Sequence, residues 1–298
     1  MDYKKVIKSR TVRVKIMQAL SFVPDKWMVS LQYRIKTGHK LNLKDPKRFT
    51  EKLQWYKLYY RDPIMKQCVD KYDVREYVKK CGLSGILNDC YGVFDDPDQI
   101  DFSSLPDSFV LKDTLGGGGN SVILVPDKNQ FDIDKAKKQM HAWITENTKA
   151  KNPGREWVYE GSAHRIIVER YIHPKDGFGA LVDYKFFCFN GKIFCLYVMS
   201  DRNLDLKVGI YDRNFTKMDA YVSYDKRDTT ILQKPEKYDE MCKIAEQLSA
   251  RFPHARIDLY DQNGKIIFGE ITFFSGSGYT LFSPDSFDYE LGQAFLID

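Results

Sequence analysis

Two runs rich in β-branched and aromatic residues, 182–189 and 192–199, are separated by nothing but Asn190-Gly191. Asn and Gly both tolerate positive φ, which a two-residue type I′ turn demands, so these runs predict an antiparallel hairpin. A second pair of runs, 255–261 and 265–272, flanks Gln262-Asn263-Gly264 and predicts another. Strands joined this way build antiparallel sheets, and residues 1–60 contain no GxGxxG that would open a dinucleotide-binding half.

Elsewhere the apolar period lengthens. The stretch from Asp62-Pro63 to Cys81-Gly82 predicts one helix: Asp62 can cap it, Pro63 suits its first position, Lys79 and Lys80 favour its C-terminal dipole, and Gly82 can end it. Further helices are expected from about Asp132 to Asn147 and from Pro235 onward. Short strands are expected at 109–112, 121–125 and 165–171. The expected fold class is therefore α+β with antiparallel sheets.

With 43% hydrophobic and 29% charged residues the chain can bury a core, which excludes a disordered protein. No uncharged apolar run approaches the roughly 18 residues of a membrane span, and the basic N-terminus lacks the apolar stretch of a secretory signal. Six cysteines form no CxxC pair and no metal-ligand spacing, so free thiols and a cytoplasmic location are expected. Charge is uneven: residues 1–60 carry a net +11, leaving −6 for the remainder of a +5 chain. This region reads as helical and accessory. Its charge fits a solvated helix surface, or an anionic partner such as a glycan, the inner membrane face or nucleic acid. Nucleic acid, through Trp27, Tyr33, Trp55 and Tyr59, is the weakest of these, because aromatics at helical spacing more often belong to a core.

Two segments carry chemistry. In Lys112-Asp-Thr-Leu-Gly116-Gly117-Gly118-Gly119-Asn-Ser121, four glycines join two expected strands. An ordered glycine run suits close approach of backbone N–H groups to phosphate, with Lys112 able to meet its charge. No Lys-Ser/Thr follows the glycines to open a helix, so this is a flap between strands and not a P-loop. A solvated flexible loop is the alternative. In the second segment, a three-residue loop at 262–264 would set Asp258 opposite Phe268 and Arg256 opposite Glu270. Arg256, Asp258, Glu270 and Thr272 would then share one sheet face and offer hard oxygen ligands to Mg²⁺. A two- or four-residue loop would put the two carboxylates on opposite faces, and a surface ion-pair ladder is the other reading.

Together with Val168-Glu169-Arg170-Tyr171-Ile172, these segments resemble the ATP-grasp ligases in order and spacing. Asp70-Lys71-Tyr72-Asp-Val-Arg75-Glu-Tyr77, Leu105-Pro-Asp-Ser-Phe109-Val-Leu-Lys112 and Asp183-Tyr184-Lys185-Phe-Phe-Cys-Phe189-Asn190-Gly191-Lys192 are similar to the TupA-like branch, associated with teichuronopeptide and capsular polysaccharide synthesis. The resemblance covers about residues 45–298 and implies two α+β subdomains gripping ATP, preceded by a basic helical region. The expected division is 1–61, 62–172 and 173–298. It further implies that Lys71, Lys112 and Gly116 to Gly119 contact the nucleotide and that Glu169, Tyr171 and Ile172 form the adenine-reading hinge. Asp183 is implied at the ribose, Lys185 and Arg202 at phosphates, and Asp258, Glu270 and Thr272 at Mg²⁺. Arg256 and the Gly276 N–H match the groups that stabilise the tetrahedral intermediate in the D-alanine:D-alanine ligase branch. Thr272 stands where many relatives have Asn, and Leu115 precedes the glycines where the branch has His-Gly-x-Gly.

The implied function is an ADP-forming carboxylate–amine ligase joining a sugar acid or similar carboxylate, in a glycan context, to an amine or amino acid. A kinase of a glycan or small molecule keeps the same cofactors, ATP and Mg²⁺. A glycosyltransferase would need a nucleotide-sugar site, and the chain has no DxD around Asp201-Arg202-Asn203-Leu204-Asp205.

Overall fold

The computed structural model describes residues 19–117, 119, 121–147, 152–174, 181–200, 207–223 and 232–297. In chain order the main elements are α1 (Asp25–Thr37), α2 (Phe49–Tyr59), α3 (Ile64–Val69), α4 (Val74–Lys80), β1 (Cys90–Phe94), β2 (Phe109–Asp113), β3 (Val122–Val125), α5 (Ile133–Asn147), β4 (Ile166–Arg170), β5 (Asp183–Phe189), β6 (Lys192–Ser200), β7 (Lys207–Asp212), β8 (Tyr221–Val222), α6 (Tyr238–Ser249), β9 (His254–Gln262), β10 (Lys265–Thr272), β11 (Phe282–Ser283) and α7 (Ser286–Ala294). Every sheet pairing among the described residues is antiparallel, as the α+β reading expects. The contacts form two compact units. One comprises the described parts of Pro63–Ala150 and Val158–His173, the other those of Met1–Asp62, Lys151–Trp157 and Pro174–Asp298.

The smaller unit carries a four-stranded sheet in the order β1-β4-β2-β3. Side chains alternate across it. Phe109 and Leu111 of β2 and Ile166 and Val168 of β4 bury against Ala136, Met140 and Trp143 of α5. Lys112 and Glu169 lie on the opposite face, where they meet. The single helix expected over 62–82 is two short ones. At Asp70 the backbone is extended, with ψ 125°. Its carboxylate accepts from the Tyr72 and Asp73 N–H groups and pairs with Arg165, so a local side-chain acceptor replaces the helical ladder. Gly82, at φ +74°, ends α4 as expected. The Asp62 carboxylate accepts from Arg251.

The larger unit holds a five-stranded sheet, β10-β9-β5-β6-β7, and the short pair β11-β8. Asn190-Gly191 turns β5 into β6 with φ of 48° and 73°, the conformation its sequence requires. Helix α6 covers one face through Met241, Cys242, Ala245 and Leu248, all buried. The other face is covered at one end by Phe49 of α2, whose ring packs on Phe187, Phe189, His254 and Phe295. The described helices of the N-terminal region are thus part of this unit's core: Met28, Val29, Tyr33, Leu53 and Tyr56 are buried. The accessory reading missed this because Lys and Arg interleave with the apolar positions. One of those cations, Arg48, is itself buried and pairs with Asp285 and Asp288. All six cysteines are free, as expected, and no described helix is long and apolar enough to cross a membrane.

Candidate active site

In the larger unit, β9, β10 and the neighbouring β5 place a charged cluster on the same sheet face that Phe49 of α2 packs on at one end. The loop between them has two residues, Asn263 and Gly264, at φ 51° and 80°, with Gln262 opposite Lys265. The three-residue loop expected from the sequence is therefore absent. A two-residue loop alone would turn Glu270 away from Asp258, but the register shifts between Phe268 and Glu270. The extra residue is Gly269, a β-bulge that restores the shared face. A Cβ there would lie 2.9 Å from the Asp258 carbonyl oxygen, so only glycine fits. Asp258 ends opposite Glu270, not Phe268, and Arg256 opposite Thr272, not Glu270.

The Arg256 guanidinium draws the cluster together. Nε donates to Asp258 Oδ1 at 2.7 Å, and Nη2 donates to Asp258 Oδ2 at 2.7 Å, Glu270 Oε1 at 2.7 Å and Thr272 Oγ1 at 3.0 Å. Lys185, on the adjacent strand, donates to Asp258 Oδ2 and lies 3.6 Å from Asp183 Oδ1. Burial disfavours the charge on Asp258, but Arg256 and Lys185 outweigh it and hold the carboxyl below its usual range. The reverse pairing holds Arg256 charged despite burial. Within this cluster, three carboxylates stand against two cations. Oxygens of Asp258, Glu270 and Thr272 all converge on one cationic nitrogen, which is the donor set a hard divalent cation takes. The oxygens of this set fit a hard divalent cation such as Mg²⁺.

Gly276 lies in the turn Ser275–Gly278, where Gly276, Ser277 and Gly278 take φ of 56°, 56° and 70°. Its N–H meets no protein acceptor among the described residues. Beneath this turn sit three groups that the sequence reading did not single out. Gln54 and Lys57 of α2 are wholly buried, and Glu156 approaches from another segment. Burial lowers the Lys57 ammonium to about 7 and raises the Glu156 carboxyl. Lys57 stands among Trp55, Tyr56, Leu58 and Tyr59, a pattern that reads equally well as a solvated stripe.

In the smaller unit, Lys112 Nζ donates to Glu169 Oε2 at 2.7 Å, and Arg75 stands 3.8 Å from Oε1. The Lys71 ammonium donates to the Gly116 carbonyl, and its N–H to that of Thr114 at 2.9 Å. Wholly buried Asp113 accepts the Leu115 N–H at 3.0 Å and pairs with His164 at 2.8 Å, anchoring the base of the glycine run. A Cβ at Gly116 would fall 2.6 Å from Ser121 Cβ, and Gly119 takes φ +72°, so those two positions require glycine. Tyr171 and Ile172 follow β4 directly, where Asn88 binds the Arg170 carbonyl at 2.8 Å. Gly118 and Arg202 lie outside the described residues.

The profile of the TupA-like ATP-grasp family matches residues 51–296. The chain belongs to that family. The match begins within α2 and spans both units, so the carboxylate hairpin, Lys112 and the glycine run all lie in the matched segment of this TupA-like ATP-grasp protein. Similar solved structures include D-alanine–D-alanine ligase from Bacillus anthracis, 15% identical, covering 69% of this chain and 57% of that one at a TM-score of 0.42. D-alanine–D-alanine ligase from Helicobacter pylori is 15% identical, with coverage of 84% and 70% and a TM-score of 0.45. L-amino acid ligase from Bacillus licheniformis is 14% identical, with coverage of 77% and 49% and a TM-score of 0.45. The chain thus spans little more than half the length of the first of these. No curated protein sequence matches it.

Proposed function

We propose that this TupA-like ATP-grasp protein is an ATP-dependent, ADP-forming carboxylate–amine ligase acting on a sugar acid or related carboxylate in cell-envelope glycan synthesis. One observation carries the reading: in a chain of this family, two carboxylates and a hydroxyl converge on a guanidinium, with a lysine beside them, on one face of a sheet. The substrate carboxylate attacks the γ-phosphorus of ATP and ADP leaves. The amine then attacks the acyl carbon, phosphate leaves, and the nitrogen loses a proton. When bound at Asp258, Glu270 and Thr272, Mg²⁺ supplies charge neutralisation of the phosphates. Lys185 and Lys112 meet phosphate charge, and Lys71 with the Gly116 to Gly119 run completes the nucleotide contacts. Glu169, Tyr171 and Ile172 lie along the adenine, and Asp183 binds the ribose. The Arg256 guanidinium and Gly276 N–H stabilise the oxyanion formed when the amine adds. Arg202 is a further phosphate ligand in this scheme. No protein nucleophile is needed.

The glycan context, a cytoplasmic location and contact of the basic N-terminal region with an anionic glycan or the inner membrane face belong to this proposal and rest on the family and on charge. The test is incubation with Mg–ATP, a panel of sugar acids and a panel of amines, read by mass spectrometry. A condensed product with ADP supports the ligase. A phosphorylated hydroxyl without condensation makes the protein a kinase, and stabilisation by nucleotide sugars but not Mg–ATP makes it a glycosyltransferase.

A further inference from the structure

The turn Ser275–Gly278 is gripped from three sides by groups the scheme above does not use. Gln54 Nε2 donates to the Ser277 carbonyl at 3.1 Å and to the Gly278 carbonyl at 2.7 Å. Lys57 Nζ donates to the Ser277 carbonyl at 2.8 Å and to Gln54 Oε1 at 2.9 Å. The Ser277 hydroxyl donates to the Glu156 carboxylate. The grip is close: a Cβ at Gly278 would lie 2.3 Å from Gln54 Nε2. Tyr279 closes it, its hydroxyl donating to Gln32 Oε1 at 2.8 Å and its ring lying under the ammonium groups of Lys36 and Lys57 at 4.0 and 4.8 Å.

Packing alone does not account for these residues. Methionine would fill the space of either Gln54 or Lys57 without the cost of burying an amide or an ammonium. Both side chains donate to carbonyls of one turn, and Lys57 also donates to Gln54 Oε1. That turn needs outside support, because three successive residues sit in the left-handed region and one of them, Ser277, has a Cβ. Its Gly276 N–H is left without a protein acceptor among the described residues.

We propose that Gln54, Lys57 and Glu156 are positioning residues for acyl transfer: their clasp on the Ser277 and Gly278 carbonyls and the Ser277 hydroxyl fixes the left-handed turn that presents the Gly276 N–H. The catalytic part of this inference rests on the ligase reading; the clasp rests on the hydrogen bonds alone. It makes the N-terminal helix α2 part of the reaction apparatus and not a surface appendage.

The experiment uses the full chain and two variants. Lys57→Met/Glu156→Gln removes both buried charges together, so neither is stranded, and Gln54→Met removes the amide that donates to the Ser277 and Gly278 carbonyls. Hydrogen–deuterium exchange by mass spectrometry should show amides 275–279 exchanging at least about tenfold faster in each variant, as local opening requires, with the 256–272 peptide unchanged. Mg–ATP affinity by calorimetry should stay within about twofold. With the substrate pair found by the product screen, kcat should fall about tenfold or more at unchanged KM for ATP, the signature of a lost transition-state contact. Unchanged exchange at 275–279 in both variants overturns the clasp, as does an equal rise across 256–272, which would mark general loosening. Faster exchange with unchanged kcat overturns the positioning role. Failure of the unsubstituted protein to bind Mg–ATP would sink the ligase reading while leaving the exchange result to decide the clasp.

Discussion

Replacing Asp258 by Asn changes one charge at the centre of the β9–β10 face and tests whether the cluster is ionised as its geometry requires. Asp258 is 1% exposed and accepts two bonds of 2.7 Å from Arg256 and a third from Lys185. Asn keeps the shape and one acceptor oxygen, but turns an amide donor toward a cationic donor. Breaking a buried pair by removing one partner costs about 3–5 kcal/mol. Here each cation keeps another anion, Glu270 for Arg256 and Asp183 for Lys185, so the low end applies. At about 2 °C per kcal/mol, a loss of about 3 kcal/mol lowers Tm by about 6 °C at pH 7. The pH dependence follows from the sign of the shift. Arg256 and Lys185 overcome burial and hold the native carboxyl below its unfolded value. Its stabilisation is therefore complete above the unfolded value near 4 and disappears as pH falls through the lower native one. Thermal unfolding followed by circular dichroism from pH 7 to pH 3 should show the two proteins converging as acid is added. Equal Tm at pH 7, or a constant gap down to pH 3, would refute an ionised Asp258.

Other perturbations separate the parts of the site. Glu270→Gln alters a carboxylate whose side chain is 44% exposed, so Tm should change little while Mg²⁺-dependent ATP turnover is lost; retained turnover would remove Glu270 from the metal site. Lys112→Met should weaken ATP binding about tenfold or more in calorimetry, the loss of a charge-assisted bond, and unchanged affinity would return Lys112 to a structural partner of Glu169. Gly116→Ala should cost about 1–3 kcal/mol by chemical denaturation, because its Cβ would meet Ser121 Cβ at 2.6 Å, whereas Gly117→Ala, with open space around it, should be neutral or slightly stabilising; equal effects would contradict the backbone path at the base of the run. The Cys188 thiol is pushed up to about 12 by burial, and Cys68, Cys195 and Cys242 are also buried. Ellman's reagent at pH 8 should label Cys81 and Cys90 first and reach those four only on unfolding, and early labelling of all six would refute their burial.

The sequence by itself determined where the hairpins turn, because turn chemistry is local: Asn190-Gly191 and Asn263-Gly264 adopt positive φ, which few other residue pairs tolerate. The length of the second loop, expected as three residues and found as two, was not among the things it determined. The sequence also placed Lys112, the glycine run, Asp258 and Glu270 in one family order. Tertiary structure decided how the hairpin strands register. The Gly269 bulge exists only through pairing with β9, and without it the two-residue loop would have parted the carboxylates. It likewise decided that Asp70 divides a helix whose caps were otherwise well marked, since Arg165 lies 95 residues away in sequence. Lys57 is the furthest case. Nothing in α2 distinguishes it from a solvated lysine, because the carbonyl that makes its burial tolerable belongs to Ser277, 220 residues on, and only folding brings the two within 2.8 Å.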